Sequence, residues 1–489
     1  MQIILNRTIQ RTTKVKTGIP DSLISREETI NHQILELENR LALSVPNISG
    51  TSSENDIIEK IARLYDEREL LKTYSENHYP DYYKYKYDPK LTSIIEVQQM
   101  LDPDEVILEY QLLQTELITF VISKDKYNIL VTPLKNKLTN AIDTLRNVIT
   151  TNPLEDTSKK GFSDFIHYSS ALYSILIEPV KKYIHGKQII IIPHNELTLI
   201  PFEVLISEKP DTSGKADYRS LHYLIKDFTL SYAFSANLMM DNGINTNHGS
   251  GTAIFLPDYS NNKLEKYGFT ELTGADIEAS NVEKVTRGKL FDKLKATEQN
   301  FKKKAARYKI LHIASHTQLN EIRPDLSSFV MSASSDTTED DYLCAYELMQ
   351  LNLSAGLVVL SGCNTGFGVL QGNEGLISIA RSFLYTGVRT IAFTLWQVAD
   401  EAGAALTIGF YKHIRKGEPL NKALRNAKLE FLSAADPVKA HPFYWAGYIV
   451  VGKNDSISLH RNLTWLYIAV IMMMLTGAAW AIKKRKSKV

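Results

Sequence analysis

Apolar and polar positions follow three different rhythms along this chain. Between about Ser25 and Ser75 the rhythm is helical: REETINHQILELENRLAL places Ile30, Ile34, Leu35, Leu37 and Leu41 on one stripe, and ENDIIEKIARLYDERELLKTY continues the pattern. This predicts a helical pair joined by the loop PNISGTSSEND, with Ser53 or Asn55 capping the second helix. The tyrosine-rich ENHYPDYYKYKYDP ends the helical part; its rings pack against the next domain or, alternatively, dock a peptide. From Glu105, EVILEYQLLQTELITFVISKDKYNILVTPL consists of short β-type runs separated by polar turns, which predicts an antiparallel hairpin or meander.

Beyond the meander, strand and helix signals alternate. KQIIIIPH, FTLSYAFS, GTAIFLP, YKILHIAS, AGLVVLSG, VRTIAFTLW and FYWAGYIVVG read as strands. SDFIHYSSALYSILIEPVKKYI, GADIEASNVEKVT, TEQNFKKKAA, GLISIARSFLYTG, DEAGAALTIGFYKHIRKG and PLNKALRNAKLEFLS read as helices. Strands that are apolar on both sides must be covered on both faces, so the class is α/β with a mostly parallel sheet. In such sheets reactive residues gather beyond the carboxyl ends of the strands.

The third rhythm is an unbroken apolar run. Trp465 to Ile482 contains eighteen residues without a charge and is followed by the basic tail KKRKSKV. As a helix it spans about 27 Å, close to the hydrocarbon thickness, with Trp465, Tyr467 and Trp480 at its ends where interfacial rings are favoured. It reads as a single membrane anchor, the alternative being a buried core helix. The positive-inside rule would keep the tail cytoplasmic, yet MQIILNRTIQRTTKVK is not an export signal for the globular part. A tail of seven residues crosses more easily than the folded part, so the expectation is a tail-anchored protein whose globular part faces the cytoplasm.

Composition narrows the function. The 489 residues are 44% hydrophobic, enough for one large or two ordinary cores. With 56 basic and 55 acidic residues there is no cationic excess to neutralise phosphates, and no nucleic-acid partner is expected. Two cysteines, Cys344 and Cys363, make no disulfide framework and carry no zinc-type spacing.

Two strands stop at reactive side chains. His316 is the first strongly polar residue after YKILHIAS, and Cys363 follows LVVLSG in the same way. If the strands are neighbours, about 4.8 Å apart, imidazole and thiol come to one edge of the sheet. The thiolate is the nucleophile, so a free thiol with pKa of about 8.5 needs a base; His316 would take its proton and return it to a leaving amine. Gly362, Gly366 and Gly368 let the chain turn tightly around Cys363, and the amides of Thr317, Gly362 and Cys363 are candidates for an oxyanion hole. Asn373 or Glu374 would stand near the positive end of the helix begun by GNEGLISIARSF. The interval from 316 to 363 is similar to the roughly 50 residues that separate the caspase histidine from its cysteine.

LHIASH, LVVLSGCNTGFG, GNEGLISIARSFLYTGVRTIAFTLWQVAD and HPFYWAGYIVVG resemble, in order and spacing, the CHAT domain family of caspase-like cysteine peptidases, relatives of separase. IIPHNELTLIPFEVL, TGADIEAS and ATEQNFKKKA add to the resemblance, which runs from about Tyr87 to Gly452. It implies a caspase-like fold, with His316 as general base and Cys363 as nucleophile, and no metal or organic cofactor. This chain has Thr317 where the family usually has glycine, SGCNTG for its SAC-E-TG, and WQVAD, with Trp396 and Asp400, for its W-P-V-x-D. Clan relatives often cut after Arg or Lys, which makes Glu374 and Asp400 candidate substrate-binding carboxylates; Asp400 is read first as the cap of the helix DEAGAAL.

The remaining motifs carry less. HIASH spaces His312 and His316 as a zinc peptidase would, but Ile313 stands where the glutamate is needed and the segment is strand-like, so no metal is expected. His312, His194, His413 and His441 read as structural, and Cys344 as a small apolar helix residue. No GxSxG or P-loop is present. The expected organisation is an N-terminal helical region (1–86), a caspase-like α/β domain (87–452, core from about 180) that includes the β-rich part, a linker (453–464), a transmembrane helix (465–482) and a basic tail (483–489). The expected function is limited proteolysis of a protein substrate near a membrane, with an activating partner bound through the N-terminal helices. The competing reading is a membrane-tethered interaction scaffold on a peptidase fold that no longer cleaves.

Overall fold

The structure, a computed structural model, describes most of residues 92–459, together with 52–80 and parts of 19–37. Besides the two termini (1–18 and 460–489), the stretches 38–51, 84–91, 135–137, 155–158, 209–216, 242–248, 260–271, 321–325, 335–338, 362–368 and 371–375 and several single positions lie outside the described residues. The apolar run Trp465–Ile482, its basic tail and most of the linker are among those outside. No helix among the described residues is long and apolar enough to cross a membrane.

The helical pair is present. The described residues between 22 and 37 are helical, and the long helix α1 runs Ser52–His78. Ile30 and Ile34 are buried, and Arg26 Nε donates to Glu67 Oε1 at 2.7 Å between the two helices. The second helix begins at Ser52, so Ser53 and Asn55 lie inside its first turn and do not cap it. Short α2 (Ile94–Met100) is held by a reciprocal Ser93/Glu96 cap and leans on the sheet that follows.

That sheet has eleven strands: β1 (Glu105–Leu112), β2 (Glu116–Ser123), β3 (Tyr127–Pro133), β4 (Gln188–Ile192), β5 (Thr229–Tyr232), β6 (Thr252–Leu256), β7 (Lys289–Asp292), β8 (Ile310–Ile313), β12 (Leu357–Leu360), β15 (Thr390–Thr394) and β16 (Tyr448–Gly452). Their spatial order is β3-β2-β1-β4-β5-β16-β15-β12-β8-β6-β7. The predicted meander is therefore the outer edge of the main sheet, joined to it by parallel pairing of β1 with β4. β7 was not anticipated, because KLFD is too short and too polar at its ends to stand out from the helices around it.

Most pairings are parallel, but the sheet is two parallel blocks of opposite direction. β7, β6, β8, β12 and β15 run one way. β16 is antiparallel to β15, and β5, β4 and β1 follow β16. The carboxyl ends of β8 and β12 thus lie at the opposite edge from those of β4 and β5. This separates His194, just past β4, from His316, just past β8.

Helices cover both faces, as four buried residues in a row on β8 require. On one face lie α5 (Ala275–Thr286), α8 (Asp400–Arg415) and α9 (Leu420–Ala434); their side of β8 is marked by His312, 5.8 Å from the Tyr411 ring between centroids. The other face carries α6 (Glu298–Lys304), whose Phe301 meets Phe255 of β6 at 4.9 Å. Between β3 and β4, α3 (Leu138–Thr150) and α4 (Lys159–Leu176) pack together against the other block. One further helix, α7 (Ile379–Leu384), follows the cysteine motif.

Three local expectations change. FYWAGYIVVG is a strand only from Tyr448, since Pro442–Trp445 forms a helical turn capped by His441. GLISIARSF begins as the short strand β14 (Leu376–Ile377), paired with β13 (Val369–Leu370), and turns helical only at Ile379. Cys344 ends β11 (Tyr342–Cys344) of a small sheet with β10 (Ser328–Val330) and β9 (Thr317–Gln318), and is not a helix residue.

Candidate functional site

The site is built at the carboxyl edge of one block. β8 and β12 are neighbours in parallel register, with Leu357 opposite Ile310 and Leu360 opposite Ile313. His316 and Cys363 each stand three positions beyond the last paired residue of their strands. The ladder extends past both strands, since Ser361 N–H donates to the Ile313 carbonyl at 2.8 Å. Cys363 and Gly362 themselves lie outside the described residues, as does Glu374.

The backbone of His316 is fixed from one side. Its N–H donates to the Tyr259 hydroxyl at 2.9 Å, and its carbonyl accepts the Val330 N–H at 2.9 Å. The Tyr259 hydroxyl donates to the Val330 carbonyl at 2.9 Å, and its ring lies 4.6 Å from the imidazole. Burial pushes the Tyr259 phenol far above its usual range, so it stays neutral and serves both as donor and acceptor. The imidazole is half-buried, and Thr317 opens β9, opposite Phe329 of β10. Tyr259 is a site residue that sequence reading missed; an aromatic residue in the loop after GTAIFLP carries no signal that its hydroxyl will meet a backbone 57 residues away. Replacing Tyr259 with phenylalanine removes the acceptor of a part-buried N–H and is expected to cost about 1–3 kcal/mol in urea unfolding.

A second group of polar residues lies directly inside the same edge. Ser361 Oγ donates to Glu278 Oε2 of α5 at 2.6 Å, and Tyr448 Oη lies 3.3 Å from Ser361 Oγ. Glu278 Oε1 is 3.5 Å from His312 Nε2, and the Tyr411 hydroxyl is 3.4 Å from His312 Nδ1. His312 has no exposed surface, and burial lowers its pKa to about 3. It is a neutral core histidine, as its inward position on the strand implied. Because the unfolded chain takes a proton near pH 6.5 and the folded chain does not, His312 withholds stability as pH falls through that value. Between about pH 7 and pH 5 this contribution is about 2 kcal/mol, and a His312→Gln variant measured by urea unfolding at both pH values should show a correspondingly shallower loss.

The other candidates are placed elsewhere. Helix α8 begins at Asp400 with Ala399 in the capping position and no side-chain cap, so Asp400 is its first residue and not its cap. Helix α7 starts at Ile379, and Asn373 and Glu374 lie outside the described residues. Trp396 of the WQVAD motif is buried and donates through Nε1 to the Phe443 carbonyl at 3.0 Å, tying β15 to the turn before β16. Gly447 fits there because an added Cβ would come within 2.9 Å of Val398 and 3.1 Å of Trp396.

Away from the edge, His194 accepts the Leu112 N–H, His413 sits between Glu418 (2.9 Å) and Glu430 (3.0 Å), and His441 accepts the Phe443 N–H. Cys344 is buried beside Glu347, and burial together with nearby carboxylates pushes its thiol up to about 12. Among the described residues, Glu298, Glu339 and Glu347 could together hold a metal ion. The Lys302 ammonium already occupies their centre, 2.5, 2.6 and 2.8 Å from the three carboxylates.

The CHAT domain family matches residues 167–453, more than half of the chain. The chain belongs to the CHAT domain family. The match starts inside α4 and includes both His316 and Cys363, while the β1–β3 meander precedes it although it shares the sheet.

Among curated proteins, this CHAT chain is similar to tetratricopeptide repeat protein 28 of Mus musculus (29% identity) and of Homo sapiens (26%), in each case over 121 residues. That alignment covers 25% of this chain and 5% of the relatives' length. Among solved structures, the separase–securin complex of Saccharomyces cerevisiae overlaps with 92% of this chain and 37% of that chain, at 9% identity and a TM-score of 0.43. The Arg-specific cysteine proteinase gingipain R overlaps with 65% of this chain and 75% of that chain, at 8% identity and a TM-score of 0.35.

Proposed function

We infer that this CHAT protein is a cysteine endopeptidase that hydrolyses peptide bonds of protein substrates with His316 as general base and Cys363 as nucleophile. The observation that supports the reading is the parallel register of β8 with β12, whose last paired residues, Ile313 and Leu360, precede His316 and Cys363 respectively by three positions in the sequence. In the proposed reaction His316 accepts the thiol proton, the thiolate attacks the carbonyl carbon, and amides of the Thr317 and Gly362–Cys363 segments stabilise the oxyanion. The imidazolium then gives its proton to the leaving amine, and a water molecule deprotonated by His316 releases the acid product. No step calls for a metal or an organic cofactor.

In this reading Trp465–Ile482 anchors the enzyme with its domain facing the cytoplasm, and Glu374 or Asp400 contributes to recognition of a basic side chain. Anchoring raises the effective concentration toward substrates on the same surface, which favours limited proteolysis there. The N-terminal helices are the proposed contact for an activating protein.

A thiol-directed activity probe tests the chemistry. Labelling of the full chain that disappears in Cys363→Ser and weakens in His316→Ala supports the enzyme; new protein N-termini made by wild type and not by Cys363→Ala would identify substrates. A folded protein whose Cys363 reacts no faster than an ordinary thiol, with any activating partner present, would favour the scaffold reading.

A further inference from the structure

The polar residues inside the carboxyl edge have a direction. Thr407 Oγ1 lies 3.1 Å from Tyr448 Oη, which lies 3.3 Å from Ser361 Oγ, which donates to Glu278 Oε2 at 2.6 Å. From the other side the Tyr411 hydroxyl lies 3.4 Å from His312 Nδ1, and His312 Nε2 faces Glu278 Oε1 at 3.5 Å with no hydrogen bond between them. A hydroxyl and a neutral imidazole can each donate one hydrogen bond onward, whereas an ionised carboxylate only accepts. The hydroxyl chain therefore ends on Glu278, with the His312 ring packed beside it.

The two groups that reach it are not arbitrary. His312 is on β8, four residues before His316, and Ser361 follows β12, two residues before Cys363. Glu278 itself belongs to neither strand; it is carried by α5 and is buried, so one carboxylate is hydrogen-bonded to the end of β12 and packed against His312 of β8.

We propose that Glu278 is a positioning residue of the site, clamping the carboxyl ends of β8 and β12 so that His316 and Cys363 are held at a fixed separation. The consequence for chemistry rests on the His316/Cys363 reading; the clamp itself does not. Its loss would let the strand ends move independently and return the thiol toward the behaviour of an unassisted one.

Two measurements on the full chain separate these points. Hydrogen–deuterium exchange by mass spectrometry reads the peptides spanning 310–316 and 357–363, with β4 as reference. Alkylation of Cys363 by iodoacetamide across pH, followed by peptide mapping, reads its thiol pKa in wild type, Glu278→Gln and His316→Ala. Gln is isosteric but turns one face of the acceptor into a donor. In Glu278→Gln, exchange at both strand ends should rise about tenfold or more while β4 stays within about twofold. The alkylation profile should move toward that of His316→Ala.

Unchanged exchange at both strand ends would overturn the clamp whatever the enzyme does. Raised exchange with an alkylation profile still like wild type would overturn its role in positioning. If wild type and His316→Ala share one profile near pKa of about 8.5, the peptidase reading fails and the exchange data alone decide the clamp. Should Glu278→Gln not fold, Ser361→Ala removes one arm and is read the same way.

Discussion

Replacing His316 with alanine is expected to slow peptide hydrolysis by roughly 10² to 10⁴-fold, while slowing alkylation of Cys363 near pH 7 by no more than about 30-fold. The two readouts differ because they need different things from imidazole. Alkylation needs only thiolate, and an unassisted thiol with pKa of about 8.5 is still about 3% ionised at pH 7. Hydrolysis also needs a proton delivered to the leaving amine, which alanine cannot supply at any pH. The measurement is turnover of a substrate found by N-terminal sequencing, set beside the alkylation rate of the same preparation. Equal losses in both would mean that His316 acts only on the thiol; no loss in either would remove it from the site. Cys344 does not confuse the alkylation, because its buried thiol is held up to about 12.

The second large effect concerns stability. Lys428 of α9 is buried with Glu203, Nζ to Oε1 at 3.0 Å, and the Tyr232 hydroxyl of β5 donates to the same carboxylate. Burial lowers the pKa of Lys428, and Glu203 opposes that by favouring the charged form. Lys428→Ala leaves a buried carboxylate without its counter-charge and is expected to cost about 3–5 kcal/mol in urea unfolding. Replacing both partners, as Lys428→Met with Glu203→Leu, should recover part of the loss, because the penalty comes from the stranded charge more than from the pair. A cost below about 1 kcal/mol for Lys428→Ala would show that water reaches Glu203.

This pair also shows what a sequence hides. Glu203 stands in IPFEVL and Lys428 in NKALRNAKLEF, and nothing in either segment points to the other. They are 225 positions apart, and only the packing of α9 against β5 and the turn at Phe202–Val204 brings them together. Glu278 is the same case: in GADIEASNVEKVT it is one of several acidic residues, and its burial follows from which face α5 turns to β8 and β12.

The sequence by itself determined the class and most of the elements. Runs such as IIII in β4, LVVL in β12 and IAF in β15, apolar at successive positions, call for strands covered on both faces, and the helical period between them supplies the cover. It also placed His316 and Cys363 each just beyond such a run, because a strand must end where a buried apolar sequence gives way to polar residues and glycine. Strand order and direction were decided by tertiary structure alone. Periodicity is the same for a strand running either way, so nothing local reveals that β16 reverses against β15 and divides the sheet into two opposed blocks. That reversal sets His194 at one edge and His316 at the other, and the adjacency of β8 and β12 gives the candidate site its geometry.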